Sequence, residues 1–458
     1  MRKIFSTVML VVVVLLPLNS SAIAAPIDVE NVETALKSRV NHGDGVGVAV
    51  GIFDQGQHYF VSAGQVRKPN GDAPNEQSLF EIGSITKTFT GVLLADMILK
   101  GEVKLDDPAA MYLPEGVTLP TYGGKEITLL NLATHTSALP RMPNNFAPSD
   151  MTNPYADYSV QQMYDFLSGY TLTRAIGEKA EYSNLGAGLL GHILALTAGV
   201  SYEELVTERI LKPLGMKDTS ITISAEQQPR FTTGHDAMGE ATPYWDLPTF
   251  AGAGALRSST QDMMLYLTAN MGVVDTPLSA AIELSHKVQH QFGPADAGME
   301  IGLHWITKTS PDKSVVWHNG GTGGFRTFTG FDKTGSRGVV ALSNSSDNSD
   351  AIGWAILNDD IASIVVEKSN VVFSEDQITN LVGEYQLTQY VIIAISEKEG
   401  RFFIQLTGQP PFQIFATSET EFFLKVVEAS ITFVKDDSGK VTSLVLHQGG
   451  DKPAKKIQ

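Results

Sequence analysis

The chain contains no cysteine among its 458 residues, so neither disulfide bonds nor thiolate zinc sites hold it together. Its stability must come from the packing of apolar side chains, and hydrophobic residues make up 43% of the sequence. A chain of this length is expected to form one large domain and a smaller one, because single cores stop growing beyond about 250–300 residues. This composition excludes a disordered or fibrous protein.

Basic residues are scarce, since 33 lysines and arginines face 50 aspartates and glutamates, which leaves a net charge of -17. A protein this acidic is not expected to bind nucleic acid or anionic lipid headgroups. The negative charge mainly serves solubility.

Several catalytic motifs are also missing. The sequence contains no Gly-x-Ser-x-Gly elbow, no phosphate-binding or dinucleotide-binding glycine motif and no His-Glu-x-x-His. This excludes the main α/β-hydrolase alternative and leaves no sign of a cofactor. His286 and His290 lie four residues apart, but we expect them on a solvated helix face rather than on a metal.

Only the first residues contain a long apolar run. Arg2 and Lys3 precede the run from Val8 to Leu18, and a small-x-small cleavage site follows at Ala22–Ala24. This pattern predicts a signal peptide over residues 1–25 and a periplasmic or secreted protein. The alternative is a membrane anchor, but the run is shorter than the roughly 20 residues that cross a bilayer, and no later segment is long enough to span.

Apolar residues recur at helical spacing in the middle of the chain and alternate towards both ends. Helices are predicted at Asn31–Val40, Ser84–Lys100, Leu129–Thr134, Ser159–Leu167, Leu185–Ala198, Tyr202–Ile210, Thr260–Asn270 and Ala351–Glu367. Strands are predicted at Val46–Phe53, Gln57–Ser62, Gly302–Thr307, Ser314–Trp317, Phe325–Phe331 and Val339–Asn344. This order predicts an α+β domain over residues 26–370, in which one antiparallel sheet flanked by helices lies beside an all-helical half.

Beyond about Glu375 the pattern changes to short alternating segments separated by turns. Strands are predicted at Tyr390–Ser396, Arg401–Leu406, Glu421–Val427, Ser430–Val434 and Val441–Leu446. Several short strands at this spacing indicate a small all-β barrel or sandwich. We expect a separate β-barrel domain of lipocalin-like type over residues 376–458.

A Ser-x-x-Lys motif, Ser84 to Lys87, stands at the start of a predicted helix. Positions three apart share a helix face, so Lys87 can reach the Ser84 hydroxyl, and burial would lower its pKa enough for it to act as a base. Free N–H groups at a helix start can also stabilise an oxyanion. The alternative is a simple helix cap, since the same motif recurs at Ser310 to Lys313 in a polar turn.

Two further segments can carry chemistry. Tyr182-Ser183-Asn184 offers a phenol, whose pKa a nearby lysine ammonium would lower, and an amide for the substrate and for Lys87. The glycine-rich stretch Trp317–Phe325 lies between two predicted strands, where a substrate backbone can approach closely. The alternatives are an ordinary loop tyrosine with a helix cap, and a flexible hairpin loop.

The three motifs in this order resemble the serine β-lactamase and DD-peptidase superfamily. Phe80–Ser84 (FEIGS) and Tyr182–Asn184 (YSN) resemble its class C branch in particular, and Leu129–Pro140 and Gly252–Asp262 look familiar as well. The resemblance covers about Val32 to Ser345. It implies a β-lactamase/transpeptidase-like fold, and the tail resembles a small β-barrel that some relatives append.

The resemblance implies an exported, penicillin-recognising serine hydrolase in which Ser84 is acylated while Lys87 and Tyr182 move the protons. The N–H groups of Ser84 and Gly321 would form the oxyanion hole. The residues expected to contact the substrate are Asn184, His318, Asn319 and Gly320, with His318 and Asn319 meeting or flanking its carboxylate. The partner would be a β-lactam, a D-amino-acid peptide or an ester, and neither a metal nor a cofactor is implied.

Two positions depart from the class C pattern. Thr86 replaces the usual Ser or Ala, on the side away from the nucleophile. His318 stands where class C β-lactamases have lysine, and relatives with histidine there include D-peptidases and esterase-like hydrolases. Two alternatives therefore stay open, an esterase of the same family and a non-catalytic penicillin-binding or sensor protein.

Overall fold

The computed structural model describes residues 25–346, 349–365, 371–409, 411–424, 429–448 and 450–458. The predicted signal peptide lies outside the described residues, apart from Ala25 at its end.

The helices follow the predicted segments closely. They are α1 Val29–Asn41, α2 Thr86–Leu99, α3 Leu129–Ala133, α4 Val160–Gly169, α5 Asn184–Ala198, α6 Tyr202–Val206, α7 Lys212–Leu214, α8 Ala251–Gly254, α9 Thr260–Asn270, α10 Ser279–His286, α11 Asp350–Leu357 and α12 Glu375–Leu381. Capping boxes at Ser159 and Ser201 begin α4 and α6, because each serine and the residue three positions later satisfy each other's backbone N–H groups. The helix predicted over 351–367 is shorter, since α11 ends at Leu357 and a 3₁₀ turn follows at Ile361–Ile364.

The strands of the first domain are β1 Gly47–Asp54, β2 Gln57–Gly64, β3 Leu79–Glu81, β4 Gly234–His235, β5 Ala241–Thr242, β6 Arg257–Ser259, β7 His290–Gln291, β8 Met299–Ile301, β9 Ile306–Ser310, β10 Lys313–Gly321, β11 Arg326–Asp332 and β12 Arg337–Ser343. The main sheet has the antiparallel order β2-β1-β12-β11-β10-β9-β8-β7. Strand β1, near the start of the domain, pairs with β12, near its end, so both ends of the domain contribute to the same sheet, as predicted.

Both faces of this sheet are covered, because alternate residues of its strands point to opposite sides. Val340 and Leu342 of β12 belong to the large core formed with α2, α5 and α9. Val339 and Ala341, which alternate with them in the sequence, belong to a second core with α1 and α11. The expected α+β fold with a helical half is therefore confirmed.

One predicted strand is wrong. Gly302–Thr307 is not continuous, because β8 ends at Ile301 and β9 begins at Ile306. Between them, the N–H of Gly302 donates to the carbonyl of Trp305, and His304 has a left-handed φ of 65°. The apolar residues of this segment are buried in a tight turn against α2 rather than in a strand.

The tail forms a closed β-barrel, as expected. Its strands are β13 Gly383–Gln386, β14 Ile392–Lys398, β15 Arg401–Leu406, β16 Phe412–Ala416, β17 Glu421–Leu424, β18 Ala429–Lys435, β19 Val441–His447 and β20 Asp451–Lys456. Tyr385, Phe402, Phe422 and Phe433 fill the interior with aliphatic side chains, which makes it a packed core. The strands β13, β16 and β20 have no counterpart among the sequence predictions.

Among the described residues, no single helix is long and apolar enough to cross a membrane. Only Asn184–Ala198 and Tyr202–Leu214, bent by 79° relative to each other, pass that test as a pair.

A buried ion pair joins β1 and β12, and its loss is expected to destabilise the domain. Arg337 Nε lies 2.7 Å from Asp54 Oδ1, and both side chains are almost fully buried. In Arg337→Met the Asp54 carboxylate is left without its buried partner, which should lower the free energy of unfolding by about 3–5 kcal/mol in urea titrations. In the control Lys37→Met, the exposed pair with Glu33 is lost instead, at a cost below about 1 kcal/mol. Equal losses in the two variants would contradict this account.

Candidate active site

The Ser-x-x-Lys motif lies at the junction of β3 and α2. A 3₁₀ turn, Gly83–Ile85, links the two elements, so Ser84 precedes the α-helix and Lys87 lies in its first turn. Lys87 Nζ is 2.9 Å from Ser84 Oγ, which is hydrogen-bond distance. Ser84 is partly exposed, whereas Lys87 is fully buried.

The Lys87 amine makes a second contact, since its Nζ donates to the carbonyl of Ala253 at 2.6 Å. Burial, and secondarily the positive charge of Arg141, hold the Lys87 pKa well below its ordinary value. This lowered pKa favours the neutral amine, whose lone pair can accept the Ser84 proton. The expected hydrogen bond from Lys87 to Asn184 is replaced by the one to Ala253.

Tyr182 lies beside both groups. Its ring centroid is 4.9 Å from Lys87 Nζ, and a hydrogen bond links its side chain to Ser84. Burial raises the Tyr182 pKa to about 12, although the contact with Ser84 and the charge of Arg141 act in the opposite direction. The expectation of a lowered phenol pKa was wrong, because the effect of burial on the Tyr182 pKa outweighs that of nearby positive charge.

Asn184 begins α5 immediately after Tyr182, and Ser183 caps that helix. Its side chain lines the cleft in front of Ser84, and its Oδ1 has no hydrogen-bond partner among the described residues. An unpaired amide oxygen at this position is available to a donor group of a substrate.

Gly321 lies next to the Ser84 turn. A Cβ atom added to Gly83, whose φ is 51°, would lie 2.7 Å from Gly321 N. The backbone of the turn therefore packs directly on the end of β10, and only glycine allows this approach. The contact brings the backbones of Ser84 and Gly321, the two expected oxyanion donors, to the same edge of the cleft.

Gly320 and Asn319 do not face the cleft as expected. A Cβ atom on Gly320 would lie 2.0 Å from the carbonyl oxygen of Ile82, so this glycine serves close packing. Asn319 points to the opposite side of the sheet, where its Nδ2 donates to Asp350 Oδ2 at 2.6 Å. Alternation along β10 explains this, because neighbouring residues cannot both point into the cleft.

His318 is buried on the Tyr182 side of β10, with the two ring centroids 6.3 Å apart. Its Nδ1 lies 2.6 Å from the carbonyl oxygen of Asn319. Burial lowers the His318 pKa to about 3, so the ring is neutral at pH 7. A neutral imidazole whose Nδ1–H donates to the backbone offers only a lone pair at Nε2, which repels a carboxylate. A contact between His318 and a substrate carboxylate would therefore not be that of a charged imidazolium.

Two more buried histidines lie behind Tyr182 and were not predicted. The His135 ring is 4.6 Å from the Tyr182 ring and 5.0 Å from the His304 ring. Burial lowers the pKa of His135 and His304 well below the ordinary value. His135 Nδ1 accepts the N–H of Ser183 at 3.2 Å, which fixes the turn that presents Tyr182.

A cleft opens in front of Ser84, and Ser84, Asn184 and Gly321 are part of its lining. Residues that line it and that the sequence did not single out are Tyr155, Trp245, Leu247, Phe250, Ala253, Gly254 and Thr322. A signal existed for some of the missed residues, because His135 and Ala253 belong to the two stretches noted as resembling the family. Nothing in the sequence marks Tyr155 or Trp245, which reach the cleft from distant loops.

The other candidate motifs have structural roles. Ser310 and Lys313 form the turn between β9 and β10, where the Ser310 hydroxyl donates to the Lys313 carbonyl. His286 is not on a solvated face as expected, because its Nε2 contacts Asn270 Oδ1 at 3.0 Å and its ring packs edge-on against Trp305. Among the described residues, no group of three or more histidine or acidic side chains is arranged to hold a metal ion.

Comparison with known proteins shows which family this chain belongs to. The sequence profile of the family described as Beta-lactamase matches residues 32–363, and that of a domain of unknown function (DUF3471) matches residues 368–456. The chain belongs to the beta-lactamase family. Members of this kind are serine hydrolases, and this chain is therefore an enzyme of that class.

Two relatives of this chain differ in the activities that their names give. The D-alanyl-D-alanine-carboxypeptidase/endopeptidase AmpH of Escherichia coli is 35% identical over 304 residues, which are 63% of this chain and 76% of AmpH. A beta-lactamase of Pseudomonas fluorescens is 27% identical over 346 residues, which are 69% of this chain and 93% of that protein.

The fold agrees with solved structures. A beta-lactamase/D-alanine carboxypeptidase from Yersinia pestis superposes with a TM-score of 0.64 at 26% identity, covering 74% of this chain and all of that one. A class C beta-lactamase, 23% identical, also has a TM-score of 0.64, covering 74% of this chain and 97% of its own.

The buried histidines are expected to make the protein sensitive to mild acid. Their folded-state pKa values are depressed, so below about pH 6.5 the unfolded chain binds protons that the folded chain does not. Stability is therefore fully present above pH 6.5 and is lost as the pH falls towards the folded pKa. The variant His304→Asn tests this, since asparagine tolerates the left-handed φ of position 304. As the pH is lowered, the free energy of unfolding of this variant should fall less steeply than that of the parent protein, with a slope smaller by about 1.4 kcal/mol per pH unit.

Urea titrations at pH 7, 6 and 5 measure this slope. The control His58→Asn removes an exposed histidine and should leave the slope of the parent protein unchanged. Parallel curves for the parent and His304→Asn would show that His304 is not a buried neutral group.

Proposed function

We propose that this enzyme is exported and that it hydrolyses β-lactams or D-amino-acid peptides through an acyl-enzyme on Ser84. The observation that carries this proposal is the 2.9 Å contact between Ser84 Oγ and a fully buried Lys87 amine, whose pKa burial holds well below its ordinary value. A neutral amine at this distance is a base poised to accept the hydroxyl proton.

Acylation begins when Ser84 Oγ attacks the substrate carbonyl carbon while Lys87 Nζ takes the hydroxyl proton. The carbon–oxygen bond forms, and the carbonyl π electrons move onto its oxygen. Tyr182, whose pKa of about 12 keeps it protonated, then gives its proton to the leaving nitrogen or oxygen and takes one from Lys87. The bond to the leaving group breaks as the carbonyl re-forms, and both residues regain their starting protonation states.

Two backbone N–H groups are proposed to stabilise the oxyanion, those of Ser84 and Gly321. The close packing of Gly83 on Gly321 supports this assignment, since it holds the two segments rigidly side by side. Such preorganised donors are typically worth about 10²–10³ in rate each. Asn184 is proposed to orient the substrate through its unpaired amide oxygen.

Deacylation completes the reaction. A water molecule attacks the acyl carbon, gives one proton to the Lys87–Tyr182 pair and releases the acyl group as an acid, while the proton returns to Ser84. The rate of this step separates β-lactamases from D-peptidases, and a few kcal/mol of barrier suffice for the difference.

The names of the relatives support both substrate classes, since one is a carboxypeptidase and another a beta-lactamase. A second candidate is an esterase with the same acylation chemistry. The neutral His318 favours it, because an ester needs no charged partner for a carboxylate.

Export is proposed from the sequence of the first residues. Arg2 and Lys3, an apolar run and Ala22-Ile23-Ala24 together form the pattern of a cleavable signal peptide. Removal of residues 1–25 would leave a chain that begins close to α1.

The nucleophile is tested directly by covalent labelling. Incubation with a fluorophosphonate or a penicillin should add one adduct mass, located on the peptide that contains Ser84. Ser84→Ala should abolish both labelling and turnover of nitrocefin, a D-alanyl-D-alanine peptide and a p-nitrophenyl ester, with unchanged thermal unfolding. Labelling of the alanine variant would place the nucleophile elsewhere, and a protein without any adduct would be a pure binder.

The charge state of His318 is tested by pH dependence. Because its pKa is about 3, His318 stays neutral from pH 5 to 8. The ratio of kcat/KM for an anionic β-lactam to that for a neutral ester should therefore be flat over this range, since changes at Lys87 and Tyr182 affect both substrates. His318→Lys introduces a charge and should raise the ratio. A wild-type ratio that falls as pH rises through about 6.5 would show that His318 titrates in the free enzyme.

A further inference from the structure

Arg141 lies beside Tyr182, on a segment that no sequence motif covers. Its carbonyl oxygen accepts the N–H groups of Asn184 and Leu185, at 3.0 and 3.2 Å. The backbone of Arg141 is therefore tied to the first turn of α5, next to Tyr182 and Asn184. Its side chain is exposed.

The guanidinium is aimed towards the catalytic groups. Its carbon lies 5.1 Å from the Tyr182 ring centroid, and Lys87 Nζ lies 4.9 Å from the same centroid. The positive charge of Arg141 acts on Lys87, Tyr182 and also Tyr155, which lines the cleft. Among the described residues, no carboxylate forms an ion pair with Arg141.

The other basic side chains around the cleft either have lowered pKa values or are bound to other groups of the protein. Arg257 lies 3.6 Å from Glu81 and 3.3 Å from Asp246. Arg326 donates to the carbonyls of Thr322 and Phe325. Burial favours the neutral forms of Lys87 and His318, and the exposed positive charge beside Tyr182 is that of Arg141.

The position of Arg141 indicates which part of a substrate it contacts, the leaving group or the acyl part. The carboxylate of a leaving group was expected at β10, around His318 and Asn319. Arg141 is not on β10 but beside Tyr182, on a segment hydrogen-bonded to Asn184, and its charge also acts on Tyr155; Asn184 and Tyr155 both line the cleft. A group in this position can contact the acyl part of a substrate, which stays on Ser84 after the leaving group has departed. An arginine matches a carboxylate with two parallel N–H···O bonds, which makes it selective for that group.

We propose that Arg141 binds a carboxylate carried by the acyl part of the substrate, an inference that rests on the proposed acylation of Ser84. The enzyme then prefers acyl donors with an acidic side chain, such as a dicarboxylic amino acid. The same contact persists in the acyl-enzyme, where it holds the acyl group while water attacks.

The test uses two p-nitrophenyl esters that share one neutral leaving group. One is the glutarate half-ester, whose acyl chain ends in a free carboxylate, and the other is its methyl ester, which is uncharged. The measured quantity is the ratio of their kcat/KM values at pH 7. The parent enzyme should prefer the anionic ester, and Arg141→Gln should lower the ratio by about tenfold, a loss typical of one charge-assisted hydrogen bond.

Three further variants sharpen the result. Arg141→Lys keeps the charge without the planar fork and should retain part of the preference. Arg141→Glu should reverse it. Lys104→Gln, the matched control, removes an exposed charge that follows the C-terminal end of α2, the end away from Ser84, and should leave the ratio unchanged.

The outcomes separate this inference from the proposed function. A parent ratio near one, or a ratio that Arg141→Gln does not change, overturns the role of Arg141 while turnover and labelling of Ser84 stand. A preference seen only when the carboxylate is moved to the leaving group also overturns it. If neither ester is turned over and Ser84 takes no label, the proposed function fails and this inference fails with it.

Discussion

The burial of one amine organises the chemistry of this protein. Lys87 has no exposed surface, and its Nζ contacts only the Ser84 hydroxyl and the Ala253 carbonyl at hydrogen-bond distance among the described residues. Water cannot solvate an ammonium there, so the neutral form is favoured and the lysine becomes a base. The same exclusion of water keeps Tyr182 protonated, and the pair is poised to move one proton in each direction.

This arrangement needs support from several elements at once. Helix α8 supplies the Ala253 carbonyl, and the Gly83 turn and the end of β10 pack so tightly that a side chain on either Gly83 or Gly320 would collide with backbone. The buried His135, which accepts the N–H of Ser183, holds the segment that carries Tyr182. Helix and sheet therefore meet at Ser84 with little freedom, which suits a preorganised oxyanion site.

The electrostatic character of the cleft differs from that of the whole chain. The protein carries a net charge of -17, yet the exposed charge beside Tyr182 is positive. The buried imidazoles are uncharged, Glu81 is buried beside Arg257, and Arg141 is exposed. The exposed charge at this site, rather than a histidine on β10, is what an anionic substrate would meet.

Much of the fold was determined by the sequence alone. Periodicity located α2, α5 and α9 within a few residues and indicated both the antiparallel sheet and the terminal barrel, because these patterns are local and strong. The Ser84, Lys87 and Tyr182 candidates were also recognisable, since spacing on a helix and a family resemblance point to them.

Only the tertiary structure decided which neighbouring residues face the cleft and which groups carry charge. Because side chains alternate along a strand, Asn319 points towards Asp350 on one face of the sheet, whereas His318 is buried on the other face beside Tyr182. Both residues belong to the same sequence motif. Burial then makes His318 neutral and raises rather than lowers the Tyr182 pKa, and no sequence pattern reports the exclusion of water. The position of Arg141 beside Tyr182 was also not predictable from the sequence, because the two residues lie about 40 positions apart and come together only in the folded domain.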